Sequence, residues 1–360
     1  MRPGWCTNVL PTRCAEELAA AVETMGTCIP ENAPVGLWLP DHVLGDDPAA
    51  AVAPIAATLR RIGTPLLGLN TFPQGDFHQN RVKDAVYQPA WGDQCRLDYT
   101  LRAAEAVIAL TQPGDEIGLT TVPIGWPSHA IDLDAARSML CTACEELDLL
   151  SERSDRTIFL AVEPEPRCVL STAASLAAFV KDTTLQDAAA RGTLRACLDA
   201  CHLAVEHESP DEAVATLHDA QIRIGRVQIS SAPEASTPLA IAAMQSLDEE
   251  RWMHQTSVLV GDALTIYNDL SETHGIDPKG VWRTHLHVPV HRATFGALHS
   301  TQSWIPLLIR AVAATGQRPP VEVETYAWDV LPPSFRQATV QDEIARELEW
   351  TMRIMQEVGW

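Results

Sequence analysis

The sequence predicts a (β/α)8 TIM barrel, an α/β fold, with an inserted hairpin subdomain between strands seven and eight. Three observations carry this reading. Short apolar runs closed by polar residues recur along the chain, Ala/Leu-rich stretches of helical period separate most of them, and no linker or low-complexity tract interrupts the series. Strand alternating with helix at a repeat of roughly 30 residues is the pattern of parallel βαβ units. Repeated without a break, such units close into a barrel.

The strand candidates are 5–9, 35–39, 66–71, 117–122, 157–163, 194–199, 226–230, 284–288 and 321–325. Each is short, apolar or β-branched, and bounded by Gly, Pro or polar residues. Helical period fills 15–24, 49–62, 101–110, 135–150, 172–181 and 210–218. The candidates outnumber the eight barrel strands by one, and the excess lies between Gln228 and Val321. Within 256–267, Gly261-Asp262 separates two alternating runs and reads as a hairpin turn. The expectation is one barrel domain over 1–360 with an insertion at approximately 233–283. Residues 284–290 then enter the site, as strand or loop, ahead of the last barrel strand.

Composition narrows the function. The 360 residues carry 26 Lys+Arg against 47 Asp+Glu, a formal net charge of -21, and 46% are hydrophobic against 20% charged. A globular chain with ample core is implied. The acidic balance leaves no basic surface for nucleic acid and disfavours docking on an anionic membrane. No run approaches the ~18–20 apolar residues of a membrane span, and residues 1–8 lack the apolar segment of a secretory signal. Nine scattered cysteines, an odd number, fit the reduced thiols of a cytoplasmic protein. Cys141-Thr-Ala-Cys144 has redox spacing but lies inside a helical pattern, so both read as buried helix residues.

In a barrel of this kind the functional groups come from the C-terminal ends of the strands. Here strand five ends in Glu163-Pro-Glu165, strand six in Asp199 with His202 three residues on, and strand seven carries Gln228. His285 and His287 alternate before the last strand, and Glu322 and Glu324 alternate within it. Each alone is a common loop cap or satisfied core residue. Together, five successive segments deliver carboxylate, imidazole or amide to one end. Carboxylates in apolar surroundings need a counter-charge. A divalent ion (Mn, Mg, Co, Zn or Fe) suits a mixed Glu/Asp/Gln/His donor set. In the N-terminal half, Asn8, Trp38, Asn70 and His78 fall at strand ends or just beyond, placed to bind substrate hydroxyls and stack on a ring, or equally to serve as loop and core residues. Residues 72–87 read as a long loop over the site, with Arg81 and Lys83 the nearby cations for an anionic substrate. Part of the net acidity is assigned to the site, through Glu163, Glu165, Asp199, Glu206, Glu322 and Glu324.

At Glu163, Asp199, His202, Gln228 and Glu324 the sequence resembles the xylose-isomerase-like TIM-barrel superfamily of sugar isomerases, epimerases and endonuclease-IV-type enzymes. That resemblance implies a metal held by Glu163, Asp199, Gln228 and Glu324, with His202 beside them. Glu163 is chosen over Glu165 because it follows the apolar run and precedes Pro; Glu324 is chosen over Glu322 because it precedes Thr-Tyr. Gln at strand seven is similar to the hydroxypyruvate-isomerase branch. His285-Leu-His287 resembles the Asp-x-His of the endonuclease-IV branch with His in place of Asp, which adds His202, His285 and His287 as alternative metal ligands. A longer series resembles the "metabolite traffic protein" EboE family: Cys6-Thr-Asn8, Gly36-Leu-Trp-Leu-Pro40, Asn70-Thr-Phe-Pro-Gln-Gly75, Val162-Glu-Pro-Glu165, Val227-Gln-Ile-Ser-Ser-Ala232 and Val323-Glu-Thr-Tyr-Ala-Trp-Asp329. Members are encoded in bacterial clusters with cyclitol-synthase-like and prenyltransferase-like partners.

The resemblance implies a metal-dependent isomerase or epimerase of a sugar or cyclitol-type metabolite of secondary metabolism. Glu163 and Glu324 exchange the proton, and His202 and His287 hydrogen-bond or shuttle. The alternatives are a multinuclear metal hydrolase or iron oxidase, not DNA-directed, and a metabolite-binding or channelling protein. The expected partner is the small-molecule substrate, with no nucleic acid and no direct membrane insertion; a homo-oligomer stays open.

Overall fold

A computed structural model describes residues 1–181, 183–336 and 338–360. Eight parallel strands close a barrel: β1 (Gly4–Cys6), β2 (Val35–Trp38), β3 (Leu66–Asn70), β4 (Glu116–Thr121), β5 (Thr157–Val162), β6 (Leu194–Asp199), β7 (Arg223–Ile229) and, after a long excursion, β14 (Val321–Val323). β14 lies between β7 and β1 and completes the ring. Helices cover the outside, their apolar faces packed on one extended core. Local sequence sets their ends. Asp93 caps helix Gln94–Leu110, Asp132 caps helix Leu133–Ser154, and Thr172 with Ser175 forms a capping box on helix Ala173–Val180. Cys141 and Cys144 lie on helix Leu133–Ser154, Cys144 buried and Cys141 half-buried, and all nine cysteines are free. No helix among the described residues is long and apolar enough to cross a membrane.

Between β7 and β14 the chain builds a second sheet, antiparallel and six-stranded: β8 (Pro233–Ala235), β9 (Thr256–Val260), β10 (Ala263–Tyr267), β11 (Val281–Thr284), β12 (Thr294–Phe295) and β13 (Leu298–Ser300). The hairpin expected about Gly261-Asp262 is β9–β10, with Val260 opposite Ala263. The strand candidate 284–288 is corrected. β11 ends at Thr284, and the backbone then turns: Leu286 N–H donates to Thr284 O, and Val288 N–H reaches across to Ser231 O. His285 and His287 therefore ride on a loop. The candidate 5–9 is likewise shorter, because Thr7–Val9 turns into a 3-10 helix that carries Asn8 off the end of β1.

Below the mouth, the barrel interior holds an ion pair where branched aliphatics are usual. Arg226 on β7 and Glu322 on β14 are both buried, Nη1 to Oε2 at 3.0 Å, and Nη2 donates to Gly118 O at 3.3 Å. Gly36 and Gly68 make the room. A Cβ at Gly36 would sit 1.5 Å from Glu322 Oε1, and one at Gly68 would sit 1.8 Å from Arg226 Nη2. Removing one partner of a buried pair strands the other charge. Arg226→Met is expected to lower the unfolding free energy by about 3–5 kcal/mol in denaturant titrations, and the double variant with Glu322→Leu to recover most of it. A single variant as stable as the parent would refute the assignment.

Candidate functional site

The strand ends converge on a cavity at the C-terminal mouth of the barrel. Its floor is polar, from Asn8, Asn70, Glu163, Glu165, His202, His285, His287 and Glu324. Its wall is largely aromatic and apolar, with Phe72, Phe77, Trp252 and Tyr326 prominent.

Asp199 closes β6 and caps the short helix Ala200–Val205. Its Oδ1 accepts from His202 N at 2.9 Å and from Ser230 Oγ at 2.6 Å, so the Asp-x-x-His spacing is an N-cap that fixes carboxylate and imidazole together. Its Oδ2 has no hydrogen-bond partner among the described residues and faces His287 Nε2 at 4.0 Å. Glu324 follows β14. Its Oε1 accepts from Asn8 Nδ2 at 2.6 Å and Asn70 Nδ2 at 3.2 Å, so residues far apart in sequence aim one carboxylate. Glu163 follows β5, with Oε1 3.8 Å from His202 Nδ1 and Oε2 without a hydrogen-bond partner among the described residues. One oxygen from each of Glu163, Asp199 and Glu324 lies within 4.8 Å of the others. Burial, then the neighbouring carboxylates, pushes both Glu163 and Glu324 well above the usual carboxylate range.

The partners at i+2 go elsewhere. Glu322 turns into the barrel toward Arg226, and Glu165 turns to a second network. Tyr87 Oη donates to Glu165 Oε1 at 2.5 Å, and Gln255 Nε2 donates to Tyr87 Oη at 2.7 Å. Gln228 is fully buried beside Asp199 in the β6–β7 register, but its Oε1 accepts from Cys197 Sγ at 3.1 Å and its Nε2 has no hydrogen-bond partner among the described residues. To offer oxygen to a cation the amide has to exchange its two ends.

Of the imidazoles, His287 donates from Nδ1 to the Glu324 carbonyl, and burial lowers it to about 4, keeping it neutral. Its Nε2 has no hydrogen-bond partner among the described residues. His202 and His287 group with Asp199, and His285 and His287 with Cys201, in two further sets of close donor atoms. Unpartnered, buried oxygen and nitrogen atoms facing one another fit a divalent cation.

Several sequence-predicted positions sit differently. Trp38 is buried behind the cavity, its Nε1 donating to Pro73 O, and packs on Phe77 and His78. His78 bonds Asn8 O through Nε2 at 2.8 Å and stands one layer back. Lys83 lines the cavity, yet its ammonium is taken by Asp269 Oδ2 at 2.6 Å and Glu249 O at 2.8 Å. Arg81 lines a separate surface cleft, and Glu206 accepts from Arg167 N. Sequence reasoning missed Tyr87, Ser230 and Gln255. Ser230 had a signal, two residues beyond Gln228 on the same strand face.

No family model and no curated protein sequence matches the chain. Solved structures do. The apo 3-keto-D-glucoside 4-epimerase of E. coli is 15% identical, with 98% of each chain covered and a TM-score of 0.50. The D-allulose 3-epimerase of Methylomonas sp. is 13% identical, with 98% of each covered and a TM-score of 0.55. A D-psicose 3-epimerase solved in the presence of D-fructose is 15% identical over 100% of both, with a TM-score of 0.52. The fold shared with them is the (β/α)8 TIM barrel. At these identities the likeness concerns fold.

The loop bearing His287 is held from outside the barrel. Glu347, on helix Val340–Glu357, accepts from Val290 N at 2.9 Å and from Thr325 Oγ1 at 2.7 Å. Burial raises its carboxyl from 4.5 to about 8, against those two hydrogen bonds. The native state thus keeps a proton that the unfolded chain releases, so the stabilisation is complete below pH 4.5 and is lost as pH rises through about 8. Glu347→Gln is expected to gain stability relative to the parent between pH 5 and 9, measured by denaturant unfolding. A pH-independent difference would contradict the assignment.

Proposed function

We propose that the protein is an isomerase or epimerase of a sugar or cyclitol-type metabolite, working with a divalent cation held by Glu163, Asp199, Gln228 and Glu324. The observation that carries this reading is the convergence of three buried carboxylates, two of which keep an oxygen without a hydrogen-bond partner among the described residues. The epimerases of the same fold supply the reaction class. The motif resemblance to the EboE family supplies the cyclitol alternative.

When bound, a divalent cation supplies Lewis acidity that polarises a carbonyl and acidifies the adjacent C–H. Glu163 and Glu324 come from β5 and β14, with β6 and β7 between them in the barrel, and so flank the cavity floor. One takes the proton and the other returns it. Asn8 and Asn70 keep Glu324 aimed, and His202 and His287 hydrogen-bond substrate oxygens. The aromatic wall excludes water and takes the apolar face of a ring. Lys83 is the cavity's lysine or arginine among the described residues, and Asp269 already neutralises it. An uncharged substrate fits better than a phosphorylated one.

The test is solvent exchange. Protein loaded with Mn²⁺ or Co²⁺ and incubated in D2O with unphosphorylated ketoses and inosose-type cyclitols is expected to introduce deuterium next to the carbonyl, read by NMR. Glu163→Gln and Glu324→Gln are each expected to slow this by about 10²–10⁴ with the fold intact. Exchange that persists in both variants, or that is absent across the panel with metal bound, sinks the proposal.

One observation favours the second reading, a multinuclear hydrolase or iron oxidase: two donor sets built on His287 adjoin the carboxylate set. Metal analysis separates the two. One equivalent per chain supports the isomerase, and two or three support the rival.

A further inference from the structure

We infer that Gln255 is a positioning residue that sets the tautomer of His285, so that the Nε2 lone pair of this imidazole is turned toward His202. The functional consequence rests on the cation-binding reading above; the tautomer stands on hydrogen bonds alone.

Gln255 immediately precedes β9 in the inserted sheet and is fully buried, so both ends of its amide need partners. One end faces Pro166 O at 3.1 Å, Glu165 Oε1 at 3.5 Å and Tyr87 Oη at 2.7 Å. The carbonyl only accepts, and Tyr87 already gives its proton to Glu165, so this end is the NH2 group. The orientation of the amide is thereby fixed. Its Oε1 lies 2.9 Å from His285 Nδ1, and the backbone ties the same two residues again, His285 N to Gln255 O at 2.8 Å. An amide oxygen cannot donate, so Nδ1 carries the hydrogen. Burial keeps the imidazole neutral, and Nε2 is left with its lone pair.

His202 is pinned the same way. Its Nδ1 lies 2.9 Å from Pro164 O, which only accepts, so Nδ1 carries a hydrogen. The two Nε2 atoms are 3.0 Å apart. A straight N–H···N bond of that length would hold the ring centroids more than about 5 Å apart, given ordinary hydrogen-bond geometry. They are 4.6 Å apart with the rings nearly perpendicular. The two Nε2 atoms therefore do not face each other head-on. A partner that fixes an imidazole's N–H fixes which nitrogen can ligate. Gln255 does this for His285 with a side chain that does not itself line the cavity.

The test is histidine ring ¹⁵N NMR on the full chain without metal or substrate, with His285 assigned through His285→Asn. The parent is expected to hold His285 with its hydrogen on Nδ1. Gln255→Met removes the acceptor, and the hydrogen is expected to move to Nε2 and bond His202. Affinity for Co²⁺, read by its absorption bands, is expected to fall about 10- to 100-fold in Gln255→Met. A parent carrying the hydrogen on Nε2, or an unchanged tautomer in Gln255→Met, overturns the inference. Because the parent spectrum alone can do so, a Met variant that fails to fold does not rescue it. None of these readouts needs turnover, so failure of the isomerase reading is seen separately.

Discussion

Among the described residues, Glu163, Glu165, Asp199, Glu322 and Glu324 are carboxylates buried at the mouth and upper interior of this barrel, and the buried guanidinium of Arg226 stands among them. Burying so much like charge costs several kcal/mol per ion unless each finds a partner. The surrounding architecture is organised around that constraint. Glu322 takes the arginine, and Gly36 and Gly68 clear the space for the pair. Glu165 takes Tyr87 and Gln255. Asp199 uses one oxygen to cap a helix, and Glu324 draws amides from the 3-10 turn after β1 and from the end of β3. Asp199 Oδ2, which remains unpaired, lies 4.0 Å from His287 Nε2, and Glu163, which also keeps an unpaired oxygen, groups with Asp199 and Glu324. What is left after every protein partner has been used has the charge and donor types of a cation site.

The site is assembled from two layers of different origin. The barrel contributes the carboxylates, and the excursion between β7 and β14 contributes Trp252, Met253, His285 and His287. The loop at 72–87 closes over the cavity by fastening to that excursion: Val82 N and Lys83 N both donate to Arg251 O, and Lys83 Nζ bonds Glu249 O. The aromatic stack of Phe77 on Trp252 seals the same seam. The inserted sheet is therefore a wall of the cavity as well as a source of its imidazoles.

Much of this was legible in the sequence, for physical reasons. Strand–helix alternation records which segments are buried on both faces, and the polar residue that ends each apolar strand marks the mouth. Glu163 and Glu165, Asp199, and Glu322 and Glu324 stood out on that basis; the superfamily resemblance singled out Glu163 and Glu324, and the structure brings these two together with Asp199. The rest depends on tertiary approach, which periodicity does not record. Asn8 and Asn70 look like strand-end residues, and nothing local says that both reach Glu324. Trp38 looks like a stacking platform because its strand ends there, but its indole N–H is claimed by Pro73. The alternation of His285 and His287 reads as a strand face. It fails because Val288 pairs with Ser231, pulling the backbone off the sheet. Tyr87 and Gln255 flank regular elements without belonging to a periodic run, and their importance exists only through each other.

The peripheral layers thus bear on the chemistry through the histidine loop. The loop is gripped at one end by Gln255 and at the other by Glu347, and in between His287 is tied to the Glu324 carbonyl. A barrel stripped of the inserted sheet or of its last helix would keep the carboxylates but lose the neutral nitrogens that face them. With only like charges at the mouth, such a barrel would be left to hold protons on Glu163 and Glu324 to stay folded, since burial and mutual repulsion already push both upward. In the proposed cation site the imidazoles would supply neutral donors that let a cation replace those protons. The inserted sheet and the C-terminal helix therefore decide whether the charge at the mouth is neutralised by protons or remains available to bind.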